Sequence, residues 1–335
     1  MSRCFVTGGT GFLGRHVIDR LLEGGEEVVA LVRRDPSPPL PDGVTLRRGD
    51  VTDAASVMDA AAGCERAYHC AGLVSRDEAD AEAMYRVHVD GTKATLDALK
   101  QAGVTRVVVA STSGTVAISD DPDEIRDESG EPPLGILSRW PYYRSKLFAE
   151  QAALAQNGEG IEVVAVLPSL LLGPGDVNGS STEDVRKFIE RKIPFSPAGG
   201  MAFVDARDAA AAMVLAMEKG TPGRRYLVNA ANMPLRVFFG RLERITGVKA
   251  PPVTMPRTPP RLAGVGAELI GKLAERLNMS SPLDRISAEM AQYYWYCDAA
   301  RAEQDLGWVP RDPGETLLDT VDDLRARGVV WPALG

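Results

Sequence analysis

Eight residues near the start of the chain, Thr7-Gly8-Gly9-Thr10-Gly11-Phe12-Leu13-Gly14, restrict its fold more than any other segment. An apolar run at 4–6 precedes them and reads as a short strand. A segment over 12–23 follows, with Phe12, Leu13, Val17, Ile18, Leu21 and Leu22 at helical spacing. Gly24 and Gly25 stop that helix. Gly9, Gly11 and Gly14 fit the pattern G-x-G-x-x-G, and Gly8, Gly11 and Gly14 fit the related T-G-x-x-G-x-x-G. Between a strand and a helix, such glycines permit a tight turn, close approach of backbone to a diphosphate, and close packing of helix on strand. The free N–H groups at the helix start, around Phe12 and Leu13, then face the phosphates.

Strands and helices keep alternating after this turn. Runs at 27–32, 44–47, 66–70, 106–110 and 162–167 read as strands, and the first of them is apolar enough for a sheet covered on both faces. Segments 54–62, 82–102 and 144–156 read as helices. That rhythm implies parallel strands joined by right-handed crossovers, hence an α/β fold with a doubly wound parallel sheet of the Rossmann type. Beyond Pro168 the rhythm breaks. A Gly/Pro-rich loop at 169–181 leads to helices expected at 182–191, 205–218, 235–246, 262–277, 282–294 and 316–327, with a late strand at 226–228 and a proline-rich connector at 250–260. The expected organisation is a dinucleotide-binding unit over 1–170, to which 206–232 returns. A smaller, mostly helical substrate lobe over 171–205 and 233–335 caps the C-terminal edge of the sheet, where α/β folds bind ligands.

Composition removes several classes of function. With 44% hydrophobic and 25% charged residues in 335, the chain has the make-up of an ordinary soluble protein. A net charge of −8 repels DNA and RNA. The cysteines Cys4, Cys64, Cys70 and Cys297 form no CxxC pair, and His16, His69 and His88 are too few for a histidine-rich metal site, so no metal is expected. No apolar stretch is long enough for a bilayer, and the N-terminus lacks a signal core. A cytoplasmic location in a reducing compartment is the expectation.

The end of the second strand selects the dinucleotide. An acidic residue there would hold a ribose 2′-hydroxyl; this chain has Val32 followed by Arg33 and Arg34. A guanidinium pairs with a 2′-phosphate that a carboxylate would repel, so NADP(H) is expected in preference to NAD(H). Asp35 follows, and turned inward it would undo this argument. Asp50 and Val51 end the third strand, where the carboxylate can accept from an adenine amino group, and Ala71 and Gly72 follow the fourth, where small residues let the cofactor pass close.

Tyr142 and Lys146 are four residues apart and so share one helix face. An ammonium beside a phenol is expected to lower the phenol's pKa, which suits Tyr142 to proton transfer with a carbonyl or an alcohol during hydride transfer. Tyr143 points about 100° away around the same helix. The fifth strand ends in the hydroxyl cluster Ser111-Thr112-Ser113, from which one group can donate to the substrate oxygen.

Taken with Leu167-Pro168-Ser169 and Gly173-Pro174-Gly175-Asp176, these motifs resemble the extended short-chain dehydrogenase/reductases, the NAD-dependent epimerase/dehydratase family. Ser113-Gly114-Thr115-Val116 and Val32-Arg33 are most similar to its dihydroflavonol reductase branch, with the 3β-hydroxysteroid dehydrogenase branch close by. The resemblance implies Thr112, with Ser111 and Ser113 as rivals, as the hydroxyl that orients the carbonyl. It implies Tyr142 as the catalytic tyrosine, Lys146 as the lysine that also holds the nicotinamide ribose, and Pro168 and Ser169 as backbone contacts to the carboxamide. His88 stands where relatives often have asparagine. The asparagine and arginine with which sugar-nucleotide members grip a diphosphate have no counterpart at 167–169 or 195–200, although Arg139, Arg144, Arg186 and Lys187 could supply one by converging on the cleft. The implied activity is NADP(H)-dependent reduction of a ketone, or oxidation of an alcohol, on a fairly apolar small molecule. The alternatives are a nucleotide-sugar epimerase or dehydratase, and a non-catalytic NADP(H)-binding regulatory protein. By resemblance alone, a homodimer is expected.

Overall fold

Along the strands of this protein, successive side chains enter two different cores. The computed structural model describes residues 2–255, 259, 262, 265, 266 and 285–331. Its strands are β1 (Arg3–Thr7), β2 (Glu27–Val32), β3 (Val44–Arg48), β4 (Arg66–His69), β5 (Arg106–Ala110), β6 (Glu162–Pro168), β7 (Leu170–Leu172), β8 (Gly200–Asp205), β9 (Arg225–Val228) and β10 (Ala231–Pro234). Seven pair in parallel in the order β3-β2-β1-β4-β5-β6-β9. Phe5, Val29, Val107, Val109, Val163, Ala165 and Leu167 point into one core, and their neighbours Val6, Val28, Ala30, Val108, Val164 and Val166 point into the other. With both faces covered, the alternation of apolar and polar residues disappears, and continuous apolar runs result.

Helices α1 (Phe12–Glu23), α2 (Ala54–Ala61), α3 (Ala81–Tyr85), α4 (Gly91–Gln101), α5 (Leu134–Leu137), α6 (Pro141–Ala155), α7 (Glu183–Ile189), α8 (Ala206–Lys219) and α9 (Leu235–Thr246) flank the strands, and helices Arg285–Met290 and Pro313–Ala326 follow. The side chains of α2 and α4 enter the first core and those of α1 and α8 the second. Ala209, Ala210, Ala212 and Ala216 keep α8 close to the sheet. Chain direction diverges between β1 and β4: β2 and β3 extend one way, and β4, β5, β6 and β9 the other. Such a switch point opens a crevice at the strands' C-terminal ends.

Several expectations change in detail. The helix expected over 82–102 is interrupted by a π-helical turn at Arg86–Asp90, between α3 and α4. The helix expected from 144 begins at Pro141, because a proline at the first position loses no helical hydrogen bond. The segment 200–205, not read as a strand, forms β8, antiparallel to β10 and parallel to β7, so a second, three-stranded sheet stands where only helices and a loop were expected. The helix expected over 282–294 is described only from Arg285 and ends at Met290; Tyr294 pairs instead with Ser119, its N–H donating to the Ser119 carbonyl at 2.8 Å. The helix expected over 262–277, and part of the connector at 250–260, lie outside the described residues. Among the described residues no helix is long and apolar enough to cross a membrane.

A buried ion cluster ties the C-terminal helix to α8. Asp205, 0% exposed, caps α8 by accepting from Arg207 N at 2.9 Å. It also takes the Arg207 guanidinium at 2.8 and 2.7 Å, and Arg311 approaches to 3.6 Å. Burial alone would raise the carboxyl's pKa, but Arg207 and Arg311 outweigh it and hold the group below its ordinary value. Arg207 reaches on to Asp319 at 2.5 Å. Asp205→Ala leaves these guanidinia facing a buried hole, so the unfolding free energy measured by urea denaturation is expected to fall by about 3 kcal/mol.

Candidate active site

The glycine turn is shaped by contacts that no side chain would tolerate. Gly8 has φ +70°, and a Cβ there would lie 2.5 Å from Ala71 N and Cys70 O; a Cβ on Gly14 would lie 2.2 Å from Gly8 O. Gly11 N donates to Gly8 O at 2.9 Å. Gly11 is the N-cap of α1, and among the described residues no side chain caps this helix start. Its first turn therefore keeps N–H groups without helical partners, beside the switch-point crevice, with Phe12 and Gly14 buried and Leu13 half-buried. A cradle of this kind, which any Cβ would fill, fits the diphosphate of a dinucleotide.

Thr7 closes the floor of the crevice. Its Oγ1 accepts from Ala71 N at 3.3 Å and lies 2.8 Å from His69 Nδ1, while His69 Nε2 lies 3.0 Å from Thr92 Oγ1. Burial, helped by Lys146, pushes the His69 pKa down to about 3. At the far end, Val32 is buried and Arg33 and Arg34 are exposed. Asp35 does not turn inward: it is exposed and pairs with Arg48 at 2.6 Å. Among the described residues neither Arg33 nor Arg34 has an ion-pair partner. Asp50 takes both Thr52 N (2.9 Å) and Thr52 Oγ1 (2.7 Å) on one oxygen. Partial burial would raise its pKa, but these bonds and the Arg33 and Arg86 charges hold it below the ordinary value. Val51 is buried beneath it.

On the other side of the crevice α6 presents Tyr142, half-buried, and Lys146, buried. Lys146 Nζ donates to Ala110 O, the last carbonyl of β5, at 2.6 Å. The expected lowering of the phenol pKa is not what the structure holds. Burial pushes Tyr142 up to about 12, and burial pulls Lys146 down to about 8, with Glu150 and Cys70 acting the other way. Burial alone moves the phenol, and the ammonium that the four-residue spacing assigned to it is turned to the Ala110 carbonyl instead. Tyr143 is not an independent position either. Its ring lies 5.0 Å from that of Tyr142, and a Cβ on Gly114 would meet it at 2.3 Å.

The three hydroxyls are not equivalent. Ser111 donates to the buried Glu150, which also receives Thr115 Oγ1 at 2.9 Å and Arg225 Nη1 at 3.2 Å. Ser113 is buried, 5% exposed. Thr112 is half-buried, and its Oγ1 accepts from Gly114 N at 3.3 Å, which leaves its own hydrogen free. Ser169 donates to Asn229 Oδ1 at 3.0 Å, next to Pro168 at the end of β6. Ala71 is half-buried and Gly72 exposed at the end of β4.

Sequence reading did not single out Glu150, although it stands one further turn from Lys146 on the same face of α6. It missed His16, which donates from Nε2 to Pro174 O at 2.9 Å and ties α1 to the loop after β7. It also missed the aromatic wall beside Tyr142. Trp295 lies 4.9 Å from Tyr143 and stacks on Trp140 at 5.7 Å. The basic residues that could have gripped a sugar diphosphate are engaged elsewhere. Arg186 is held by Glu183 (2.6 Å) and Glu190 (2.8 Å), Lys187 by Glu183 (3.6 Å), Arg139 donates to Tyr293 Oη at 3.0 Å, and Arg144 donates to Ser138 O at 3.4 Å.

The glycine cradle lies at the switch point, and the Tyr/Lys pair and the hydroxyl cluster meet at the end of β5. Residues 4–229 match the NAD dependent epimerase/dehydratase family. The chain is 34% identical to a Synechocystis sp. protein provisionally named dihydroflavonol 4-reductase, over 98% of this chain and 97% of that one. It is 31% identical to sterol demethylase protein B of Methylococcus capsulatus, over 97% and 99%. Its fold is shared with dTDP-glucose 4,6-dehydratase from Streptomyces venezuelae, solved with NAD bound, with a TM-score of 0.75 at 23% identity over 98% of this chain and 99% of that one. The chain belongs to the NAD dependent epimerase/dehydratase family, whose members are NAD(P)-dependent oxidoreductases and epimerases.

Because a methyl group at position 14 would collide with the Gly8 carbonyl, Gly14→Ala is expected to weaken dinucleotide binding at least ~100-fold while the circular-dichroism spectrum stays native. Quenching of tryptophan fluorescence by NADPH checks this.

Proposed function

We propose that this chain is an NADP(H)-dependent reductase acting on the carbonyl of a fairly apolar small molecule, or on the matching alcohol. Residues 1–170 with 206–232 form its cofactor unit, and 171–205 with 233–335 its substrate lobe. The observation that carries the reading is the wall beside Tyr142, where Tyr143 and Trp295, backed by the buried Trp140, offer apolar surface while the cations of α7 are neutralised by their own glutamates. A buried diphosphate without cationic partners costs several kcal/mol, which argues against a nucleotide-sugar substrate. A regulatory protein that only senses the dinucleotide has no need of Tyr142 and Lys146. All four cysteines are free thiols, in keeping with a cytosolic, reducing compartment.

The nicotinamide, when bound, supplies the hydride to the carbonyl carbon. Tyr142 donates its phenolic proton to the carbonyl oxygen; a phenol kept protonated up to about pH 12 suits this direction. Thr112, with its hydrogen uncommitted, donates to the same oxygen. Ser111 is removed from that role by Glu150. Lys146 holds the nicotinamide ribose and faces the developing phenolate with its positive charge. Gly8, Gly11, Phe12, Leu13 and Gly14 hold the diphosphate. Asp50 and Val51 hold the adenine, and Ala71, Gly72, Pro168 and Ser169 line the nicotinamide half. Arg33 and Arg34 pair with the 2′-phosphate, now that Asp35 is drawn to Arg48.

The deciding experiment is a panel of aromatic and alicyclic ketones against UDP- and dTDP-sugars. Stoichiometric NADPH oxidation by the ketones, reduced by a factor of roughly 10² to 10⁴ in Tyr142→Phe with cofactor binding intact, supports the reading. Thermal shifts selective for a nucleotide sugar overturn it in favour of an epimerase. Separately, Arg33→Ala is expected to weaken NADPH binding about ten- to hundredfold and leave NADH nearly unchanged; a native preference for NADH refutes the NADP(H) assignment.

A further inference from the structure

One buried imidazole joins the segments that make up the site. His88, 1% exposed, sits in the middle of the π-helical turn Arg86–Asp90. Its Nε2 lies 2.9 Å from Leu73 N. A backbone amide only donates, so Nε2 carries the lone pair and the ring hydrogen is on Nδ1. Nδ1 then donates to Ser145 Oγ at 2.8 Å, and Ser145 Oγ donates to the Tyr142 carbonyl at 2.9 Å. The imidazole also meets the Tyr142 ring edge to face, with centroids 5.7 Å apart and planes at 79°. A Cβ on Gly72 would come within 3.2 Å of Nε2, so the exposed strand end at 71–73 lies directly on this ring.

The helix pays attention to this residue in its geometry. Single π-turns inside α-helices are rare and recur at functional positions. Here the extra residue falls where the side chain of His88 reaches both the segment after β4 and α6. The titratable groups that act on His88 are Lys146 on α6 and His69 on β4, and with burial they push its pKa down to about 3. The lone pair on Nε2 and the hydrogen on Nδ1 therefore persist across ordinary pH.

We propose that His88 is a positioning residue for Tyr142: held in the Nδ1–H form by the Leu73 amide, it fixes the first turn of α6 through Ser145 and the phenol through its ring edge. The orientation of Tyr142 is thereby tied to the backbone at 71–73 that flanks the cradle. Its kinetic consequence rests on the reading of Tyr142 as proton donor; its structural content does not.

The test uses the full chain with NADPH and the best ketone of the panel. In His88→Phe, which keeps the ring and loses both nitrogens, kcat is expected to fall about ten- to hundredfold, with the KM for NADPH within about threefold of native. His88→Gln, with an acceptor and a donor on one amide, is expected to recover most of the loss. Ser145→Ala, which cuts the link without opening a large hole, is expected to repeat the fall and carries the test if His88→Phe does not fold. Two readouts need no substrate. Ring-¹⁵N spectra are expected to show His88 as the neutral Nδ1–H tautomer from pH 5 to 8. The ring ¹H–¹³C signals of Tyr142 are expected to move in Ser145→Ala, where the His88 ring is untouched and only its link to α6 is lost. An Nε2–H or protonated ring overturns the proposal. So do unmoved Tyr142 ring signals in Ser145→Ala, or a kcat loss that His88→Gln does not repair. If no ketone is turned over while both spectroscopic results hold, the reductase reading fails and the positioning role stands.

Discussion

Backbone lies against backbone where β1 and β4 end, and the site is arranged around that contact. At Gly8 the turn comes so close to the Cys70–Ala71 peptide that a single carbon atom would not fit. This approach is possible because β1 and β4 are neighbours at the place where the winding of the sheet reverses. Thr7 and His69, one strand-end residue from each, lock it from below by a hydrogen bond of 2.8 Å. The phosphate turn and the segment that follows β4 are therefore fixed to one another across a single seam.

Burial, rather than pairing, sets the electrostatics across that seam. Lys146 is desolvated and points its ammonium at a carbonyl of β5, Tyr142 is desolvated and stays protonated, and His69 and His88 are desolvated and stay neutral. Glu150 is the exception. It keeps its place at 3% exposure because two hydroxyls and the Arg225 guanidinium satisfy its oxygens. In doing so it takes Ser111 away from the crevice and leaves, among the described residues, Thr112 and Ser113 as the hydroxyls of the cluster not committed as donors.

The parts of this molecule that were legible in its sequence are those written in local chemistry. The strands were readable because burial on both faces turns 107–110 and 163–167 into unbroken apolar runs. The phosphate turn was readable because only glycine meets its contacts. The Tyr142/Lys146 spacing was readable because four residues make one helical turn. Its pKa consequence was not, since desolvation depends on everything packed around α6. β8 escaped notice because Ser196-Pro197-Ala198-Gly199-Gly200 reads as a loop, and its strand exists only by pairing with β7 and β10. The π-turn left no mark either, because its cause is the destination of His88, in Leu73 and Ser145, and not the composition of 86–90.

Arg225 lies in β9, the last strand to join the sheet, yet it neutralises Glu150 and also donates to the carbonyls of Glu128 and Gly130. The hydroxyl cluster and the Tyr/Lys pair are thus finished by a residue more than seventy positions downstream of them. A fragment ending near residue 170 would hold every group that the chemistry names and would still lack the guanidinium that pairs with its buried carboxylate. The seven-stranded sheet is consequently not finished in the order of synthesis: its polar interior is complete only after the chain has built β7 and β8 in the other sheet and returned as β9.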